Sequence, residues 1–318
     1  MGWLRFIGLG PCALAVLLVT AACDSDPGET HTTTSSSGGT GGTALPTPEP
    51  LTIVTWNVRN FVNAVEDSDA TMETVDPGWV SHRGAVGAVL RSIDADVLVL
   101  QEVEHEAVLN ELNDEELDGD YDHIRVIDAN DPRGIDVGVM SKIALDQVTT
   151  HQDEQFPELS DPNGPTYRYA RDCLEMHLTF NGRPLALLGV HYKAKQNDDP
   201  QKRLAEAQHT RGIADDITAA APSTGILVLG DFNDLPDSPA YLATVGDEPD
   251  LYRNAADAVA QADRWTFEYQ GAHELVDQQM ANGLLHDRLD GPSVRILHSP
   301  EAEAASDHAP LIATYLVN

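Results

Sequence analysis

The strongest constraint on this chain is a set of short runs that are almost unbroken in Val, Ile and Leu. Residues 51–58, 96–103, 185–192, 226–230 and 311–317 are the clearest of them. A strand with one wet face alternates apolar and polar residues, so a run without alternation asks for cover on both faces. Further strand-length runs occupy 121–127, 136–141, 174–180, 273–280 and 293–298. Helical spacing is plain only over 79–93, 201–220 and, more briefly, 238–245. So many strands with so few helices exceed what a single doubly wound sheet holds. The pattern predicts an α/β fold with two β-sheets packed face to face and helices outside.

Polar clusters stand at the ends of these runs. Asn57 and Glu102 close two of them, Asp231 and Asn233 follow a third, and Asp307-His308 precede the last. Strand ends are where a rigid scaffold presents converging side chains. A carboxylate such as Glu102 at the end of Val97-Leu98-Val99-Leu100-Gln101 needs a partner or a metal, because charge beside a core is costly. The Asn57 carbonyl suits a hard cation or a phosphate, although a satisfied structural amide reads equally well. Asp231 and Asn233 also fit a tight turn closed by their own side chains.

Composition narrows the class and the address. The 318 residues carry net charge −33, from 19 basic against 52 acidic side chains. That balance argues against a broad basic face that holds nucleic acid by counterion release, without excluding a small basic groove. Residues 1–22 read as a lipoprotein signal peptide with Arg5 ahead of an apolar stretch. Thr20-Ala21-Ala22-Cys23 resembles a bacterial lipobox with Cys23 as the lipidation site, although Thr20 departs from the usual Leu; an ordinary signal cleaved after Ala22 is the alternative. Residues 23–50 then form a Ser/Thr/Gly/Pro-rich tether, and 51–318 one domain. The expected location is a membrane-anchored lipoprotein of the periplasm or cell surface, otherwise a secreted protein. Membrane contact is through the lipid alone, with no protein partner and a monomeric state. Of the three cysteines only Cys173 falls in the domain, so no disulfide forms within it.

Trp56-Asn57, Gln101-Glu102, Gly230-Asp231-Phe232-Asn233 and Ser306-Asp307-His308 follow in fixed order. Together they resemble the endonuclease/exonuclease/phosphatase superfamily, the fold of DNase I, apurinic endonucleases, bacterial sphingomyelinases and inositol polyphosphate 5-phosphatases. The resemblance covers almost all of 51–318, and the stretch from Gly189 to Lys195 is similar to secreted bacterial members. It implies a four-layer α-β-β-α sandwich of two mixed sheets. It also implies hydrolysis of a phosphate ester by metal-activated water. Asn57, Glu102 and Asp307 would hold Mg²⁺ or Mn²⁺, with Ca²⁺ a further fit. His308 would stabilise the transition state, oriented by Asp277, which suits the family strand better than Asp290 because Gly291-Pro292 follows the latter. Asp231 or His191 would be the general base, and Asn233 would place Asp231 or the phosphate.

The resemblance further makes Arg171 a phosphate contact, against the alternative of an ion pair with a nearby carboxylate. Asp136 would orient His191 unless it merely closes a turn. Lys193, Lys195 and Arg203 fit a nuclease, or else a solvated surface. Nucleic acid is the expected substrate. A sphingomyelinase-like phospholipase is the second reading, another phosphatase the third, and a non-catalytic binding module the rival from another class.

Overall fold

The computed structural model describes residues 47–65, 71–72 and 74–318. The expected signal peptide, Cys23 and the tether as far as residue 46 lie outside the described residues. Two six-stranded sheets carry the fold. In spatial order the first contains β15 (Arg295–Ile296), β16 (Leu311–Val317), β1 (Glu49–Phe61), β2 (Val97–Val103), β4 (Asp136–Ser141) and β3 (His123–Val126). The second contains β11 (Arg253–Asn254), β14 (Asp277–Ala281), β10 (Gly225–Asp231), β9 (Arg183–His191), β8 (Cys173–Phe180) and β5 (Leu145–Thr150). Two small hairpins are added, β6 (Phe156–Pro157) with β7 (Thr166–Tyr167) and β12 (Phe267–Tyr269) with β13 (Ala272–Glu274). The helices are α1 (Trp79–Ile93), α2 (Glu106–Glu116), α3 (Pro200–Ala220), α4 (Pro239–Val245), α5 (Gly283–His286) and α6 (Pro300–Ala305). None of the described helices is long and apolar enough to cross a membrane.

The unbroken apolar runs divide their side chains between two cores. Leu51, Ile53, Val97 and Val99 pack between the sheets against Leu185, Leu187, Leu227 and Leu229. Their neighbours Val54, Trp56, Leu98 and Leu100 face the other way, against Val86, Val89 and Leu90 of α1 and Leu109 and Leu112 of α2. On the far side Ala186, Leu188, Val190, Ile226 and Val228 meet Ala205, Ala207 and Ala214 of α3 and Tyr241 of α4. Each buried aliphatic side chain contributes on the order of 1.5–3 kcal/mol relative to exposure. The result is the expected four-layer α-β-β-α sandwich with both sheets mixed.

Three expectations need correction. The run 273–280 is not one strand. Residues 272–274 pair with 267–269 in a hairpin, and Asp277–Ala281 pair with β10, so the chain changes partners at Leu275-Val276. The run 293–298 pairs over Arg295–Ile296 alone, because Gly291 to Ser293 form a 3₁₀ turn. Helix α2 was hidden by its acidic sequence, since only Val108, Leu109, Leu112 and Asn113 are buried in it.

Topology gathers the polar residues at one rim. β1 runs parallel to β2, and β9 parallel to β10, with His191 opposite Asp231. β14 runs antiparallel to β10 with Asp277 opposite Asp231. β4 runs antiparallel to β2, with Asp136 opposite Val103. Gly230 permits this closure. Its φ is 141°, and a Cβ there would lie 1.9 Å from the Val190 carbonyl oxygen. Gly230→Ala is therefore expected to destabilise the fold by more than about 3 kcal/mol, read as the loss of the urea unfolding midpoint against wild type; a midpoint near that of wild type would show that the strands separate freely.

Candidate active site

The first flank of the rim is built by bulges at the ends of β1 and β2. Register shifts fall between Asn57 and Phe61 and between Gln101 and Val103. Arg59, Asn60 and Glu102 have φ of 53°, 44° and 64°, a left-handed backbone that bulky residues adopt only where the surroundings enforce it. Glu102 accepts the Asn60 N–H on Oε2 at 2.8 Å. Asn57 accepts the Arg59 N–H on Oδ1 at 3.0 Å. The Arg59 Nε lies 3.9 Å from Asp307 Oδ2. Glu102 and Asp307 thus face the same short turn, Asp307 from the loop before β16. That loop is docked by Trp56, whose indole N–H donates to the His308 carbonyl at 2.7 Å, and by Ser306, whose hydroxyl donates to the Asn57 carbonyl at 2.7 Å.

The second flank is buried. Asp231 is sunk at the end of β10, where its Oδ1 accepts the Asn233 N–H at 2.7 Å and its Oδ2 the Asn57 amide at 3.1 Å. His191 Nε2 lies 3.4 Å from that Oδ2. Asp277 Oδ2 lies 2.8 Å from His308 Nδ1, and Thr266 Oγ1 accepts the Asp277 N–H at 3.1 Å. Expected residues Asn57, His191, Asp231, Asn233, Asp277 and His308 therefore share one cluster.

Electrostatics divides their roles. Burial acts against the imidazolium of His308, but the Asp277 charge and hydrogen bond, with Asp231 and Asp307 beyond, raise it to about 10. His308 is a cation at neutral pH. Burial pushes Asp231 up, the Asp277 charge adds to it, and His308 with the Asn233 and Asn57 hydrogen bonds pulls back, leaving it at about 7. His191 is held well below the usual imidazole range by burial and by the Arg171, His308 and Arg133 charges, so it is neutral.

Two groupings could take a cation. Ligand atoms of Asp231, Asp277 and His308 lie within 4.8 Å of one another, and Asp277 Oδ1 is buried without a partner. Yet His308 spends Nδ1 on Asp277 and keeps its proton, and an imidazolium is no ligand. Glu102 and Asp307 offer hard carboxylate oxygens at a half-open rim, the donor type that Mg²⁺ takes alongside waters.

Other expected residues are placed differently. Arg171 is buried, its Nε 2.8 Å from Asp131 Oδ2 and its Nη1 donating to the Tyr192 carbonyl at 3.0 Å, which is the ion-pair reading. No hydrogen bond joins Asp136 to His191 among the described residues. Asp136 Oδ1 closes a turn on the Ala129 N–H at 3.0 Å, while its Oδ2 and His191 Nδ1 stay unpartnered. Burial, with the Asp128 charge, pushes Asp136 up to about 8, so at neutral pH it lacks the charge that would steady an imidazolium. Lys193 folds back onto the Ala194 and Gln196 carbonyls, Lys195 lies 3.3 Å from Glu274, and Arg203 is buried against Asp198 and Asp234. The trio offers little free positive charge.

Sequence reasoning missed a groove of about 520 Å³ beside His308 and Asn233, walled by Phe267, Tyr269, Val276 and Lys195. The Phe267 ring lies 4.8 Å from the His308 ring, and Tyr269 stacks beyond it at 6.4 Å. The alternation Phe267-Glu268-Tyr269, which sets both rings on one face of a short strand, was the available signal.

Residues 52–294 match the sequence model of the Endonuclease/Exonuclease/phosphatase family. No curated protein sequence gives a significant match. Among solved structures, an endonuclease/exonuclease/phosphatase from Bacteroides vulgatus is similar with TM-score 0.60 at 15% identity, over 85% of this chain and 100% of that one. The D. rerio TDP2 complexed with single strand DNA product gives 0.58 at 17%, over 84% and 98%. The human Nocturnin catalytic domain with bound sulfate anion gives 0.58 at 16%, over 84% and 94%.

Replacing Asp277 by Asn removes the charge that holds the proton on His308. In the metal-free variant His308 is expected to titrate well below 10, toward the ordinary imidazole range of about 6.5, followed by NMR of the ring. An unmoved titration would show that Asp277 does not govern it.

Proposed function

The chain belongs to the endonuclease/exonuclease/phosphatase family, and we propose that it is a divalent-metal-dependent phosphodiesterase acting on nucleic acid. The observation that carries this reading is the partly buried His308, its Nδ1 2.8 Å from Asp277 Oδ2 and its ring 4.8 Å from that of Phe267 at the head of an open groove. A preorganised cation of this kind suits the extra negative charge of a phosphoryl transition state.

Each side chain then has a task. His308 donates from Nε2 to a phosphoryl oxygen as charge builds there, and Asp277 keeps the ring charged and aimed. Asp231 takes the proton of the attacking water. Its pKa near 7 suits a general base better than the depressed imidazole of His191, which lies against its Oδ2. Asn57 and the Asn233 N–H fix the Asp231 oxygens. Glu102 and Asp307 would hold Mg²⁺ or Mn²⁺, with Ca²⁺ less favoured, and the ion supplies polarisation of the phosphate and neutralisation of the leaving oxygen. Asn57 donates its amide N–H to Asp231, and its side-chain oxygen, which accepts the Arg59 N–H, keeps a second lone pair for a cation. Arg171 acts through Tyr192 rather than on the phosphate.

The flat walls of the groove favour a substrate with a base next to the reacting phosphate, in keeping with a relative solved with single strand DNA product. With its neighbouring cations tied to carboxylates or carbonyls, the site would hold nucleic acid by stacking and by one phosphate, not by a basic track. The lipobox-like Thr20-Ala21-Ala22-Cys23 supports export and anchoring through lipid on Cys23.

The test is a panel of single-stranded DNA, plasmid DNA, RNA, a bis-aryl phosphate and sphingomyelin, each with Mg²⁺, Mn²⁺ or excess EDTA. Cleavage of the nucleic acids and the aryl diester in metal, and none in EDTA, is expected; activity that survives EDTA, or cleavage of sphingomyelin alone, overturns the reading. His308→Ala should lower kcat/KM on the order of 10²-fold or more with the circular dichroism spectrum kept. With one or two phosphate contacts, KM for plasmid DNA should rise by about three- to twelvefold from 50 to 200 mM salt, against about 10³-fold or more for six to ten contacts.

A further inference from the structure

Among the described residues no hydrogen bond or ion pair joins helix α3 to the side chains assigned to the reaction, yet two of its own side chains hold the backbone on which those groups are mounted. Glu206 is fully buried. Its Oε1 accepts the Ala170 N–H and its Oε2 the Lys193 N–H, both at 2.6 Å. These are short, charge-assisted bonds, and they tie together two segments that are far apart in sequence. Ala170 precedes Arg171, and Lys193 follows His191 by two residues. One turn earlier on the same face, Arg203 donates from Nη1 to the Lys193 carbonyl and from Nε to Asp234 Oδ2, both at 3.0 Å.

The Lys193 residue is thus held at its N–H by Glu206 and at its C=O by Arg203. The preceding Tyr192 carbonyl is held from the other side, by Arg171 at 3.0 Å and by the Asn233 amide at 3.1 Å. The Tyr192 N–H closes the ring on the Asp231 carbonyl at 3.0 Å. Every polar backbone group from Tyr192 N to Lys193 O has a partner, and the partners include Asn233 and the Asp231 backbone. The other buried residues of α3 are small: Ala205, Ala207 and Ala214, and Thr210, whose hydroxyl pairs with that of Tyr169 at 2.8 Å. A buried carboxylate in such a row is costly unless its bonds are needed.

We propose that Glu206, with Arg203, is a positioning residue that fixes the His191–Lys193 and Ala170–Arg171 segments from behind and so sets His191 against Asp231. The inference rests on the phosphodiesterase reading of the site.

The test uses the full chain at pH 8. Burial pushes the Glu206 carboxyl up to about 7, opposed by the Lys193 and Ala170 hydrogen bonds, so at pH 8 both oxygens accept. Glu206→Gln keeps the shape but offers one acceptor oxygen for two N–H groups. A fall in kcat of about tenfold or more is expected, with KM for the bis-aryl phosphate within about threefold and the circular dichroism spectrum unchanged. The effect should shrink to less than about twofold when His191→Ala is already present, because coupled residues are not additive. A folded Glu206→Gln with kcat within twofold of wild type overturns the proposal, and so does a full tenfold loss in the His191→Ala background. Unfolding of both Glu206→Gln and Glu206→Asp overturns it as well, by showing that the carboxylate serves the fold alone. Wild type that cleaves no diester in Mg²⁺ or Mn²⁺ refutes the phosphodiesterase reading instead.

Discussion

Burial on both faces of the central strands is the constraint from which the rest follows. β1, β2, β9 and β10 send alternate side chains to two different cores, so polar groups within them are few and paired, as Gln101 is with Thr55. The chain can place chemistry only where the strands stop. Parallel pairing of β1 with β2 and of β9 with β10 brings the carboxyl ends of four strands to one rim. The antiparallel β14 and β4 bring their amino ends, with Asp277 and Asp136, to the same place.

Such a rim tolerates several buried carboxylates because each is bonded. Asp231 has two amide donors, Asp277 has an imidazolium, and Glu206 has two backbone N–H groups. The arrangement also separates proton affinities. His308 is raised and His191 is depressed, although both stand at the same rim. Burial acts against the charged form of both; the Asp277 charge and hydrogen bond override it at His308, whereas the Arg171, His308 and Arg133 charges add to it at His191. Residues whose environments drive their proton affinities apart in this way can divide acid from base.

Much of this was legible in the sequence. The unbroken runs gave the two-sheet architecture because lack of alternation has one physical meaning. The Asp277–His308 pairing was implied by the family resemblance, with strand-breaking Gly291-Pro292 disfavouring Asp290. What could not be read was geometry that depends on partners. Arg171 and Arg203 look like free cations in a sequence, and only the fold brings Asp131, Asp198 and Asp234 to them. Helix α2 was lost because a helix with four buried residues has a weak apolar stripe. The change of partner at Leu275-Val276 was invisible because both halves are strand-like.

The cluster is also divided between the sheets. Asn57, Glu102, Asp307 and His308 belong to the first, and His191, Asp231 and Asp277 to the second, with the Asn57–Asp231 and His308–Asp277 bonds spanning the gap. The thickness of the central core is therefore the ruler of the active site. Gly189 shows how fine its gradation is, since a Cβ there would meet Val99 of the opposite sheet at 2.9 Å. A close-packed interior transmits such changes instead of absorbing them. A substitution between the sheets that alters their spacing by a few tenths of an ångström would thus reset the alignment of acid and base without touching either.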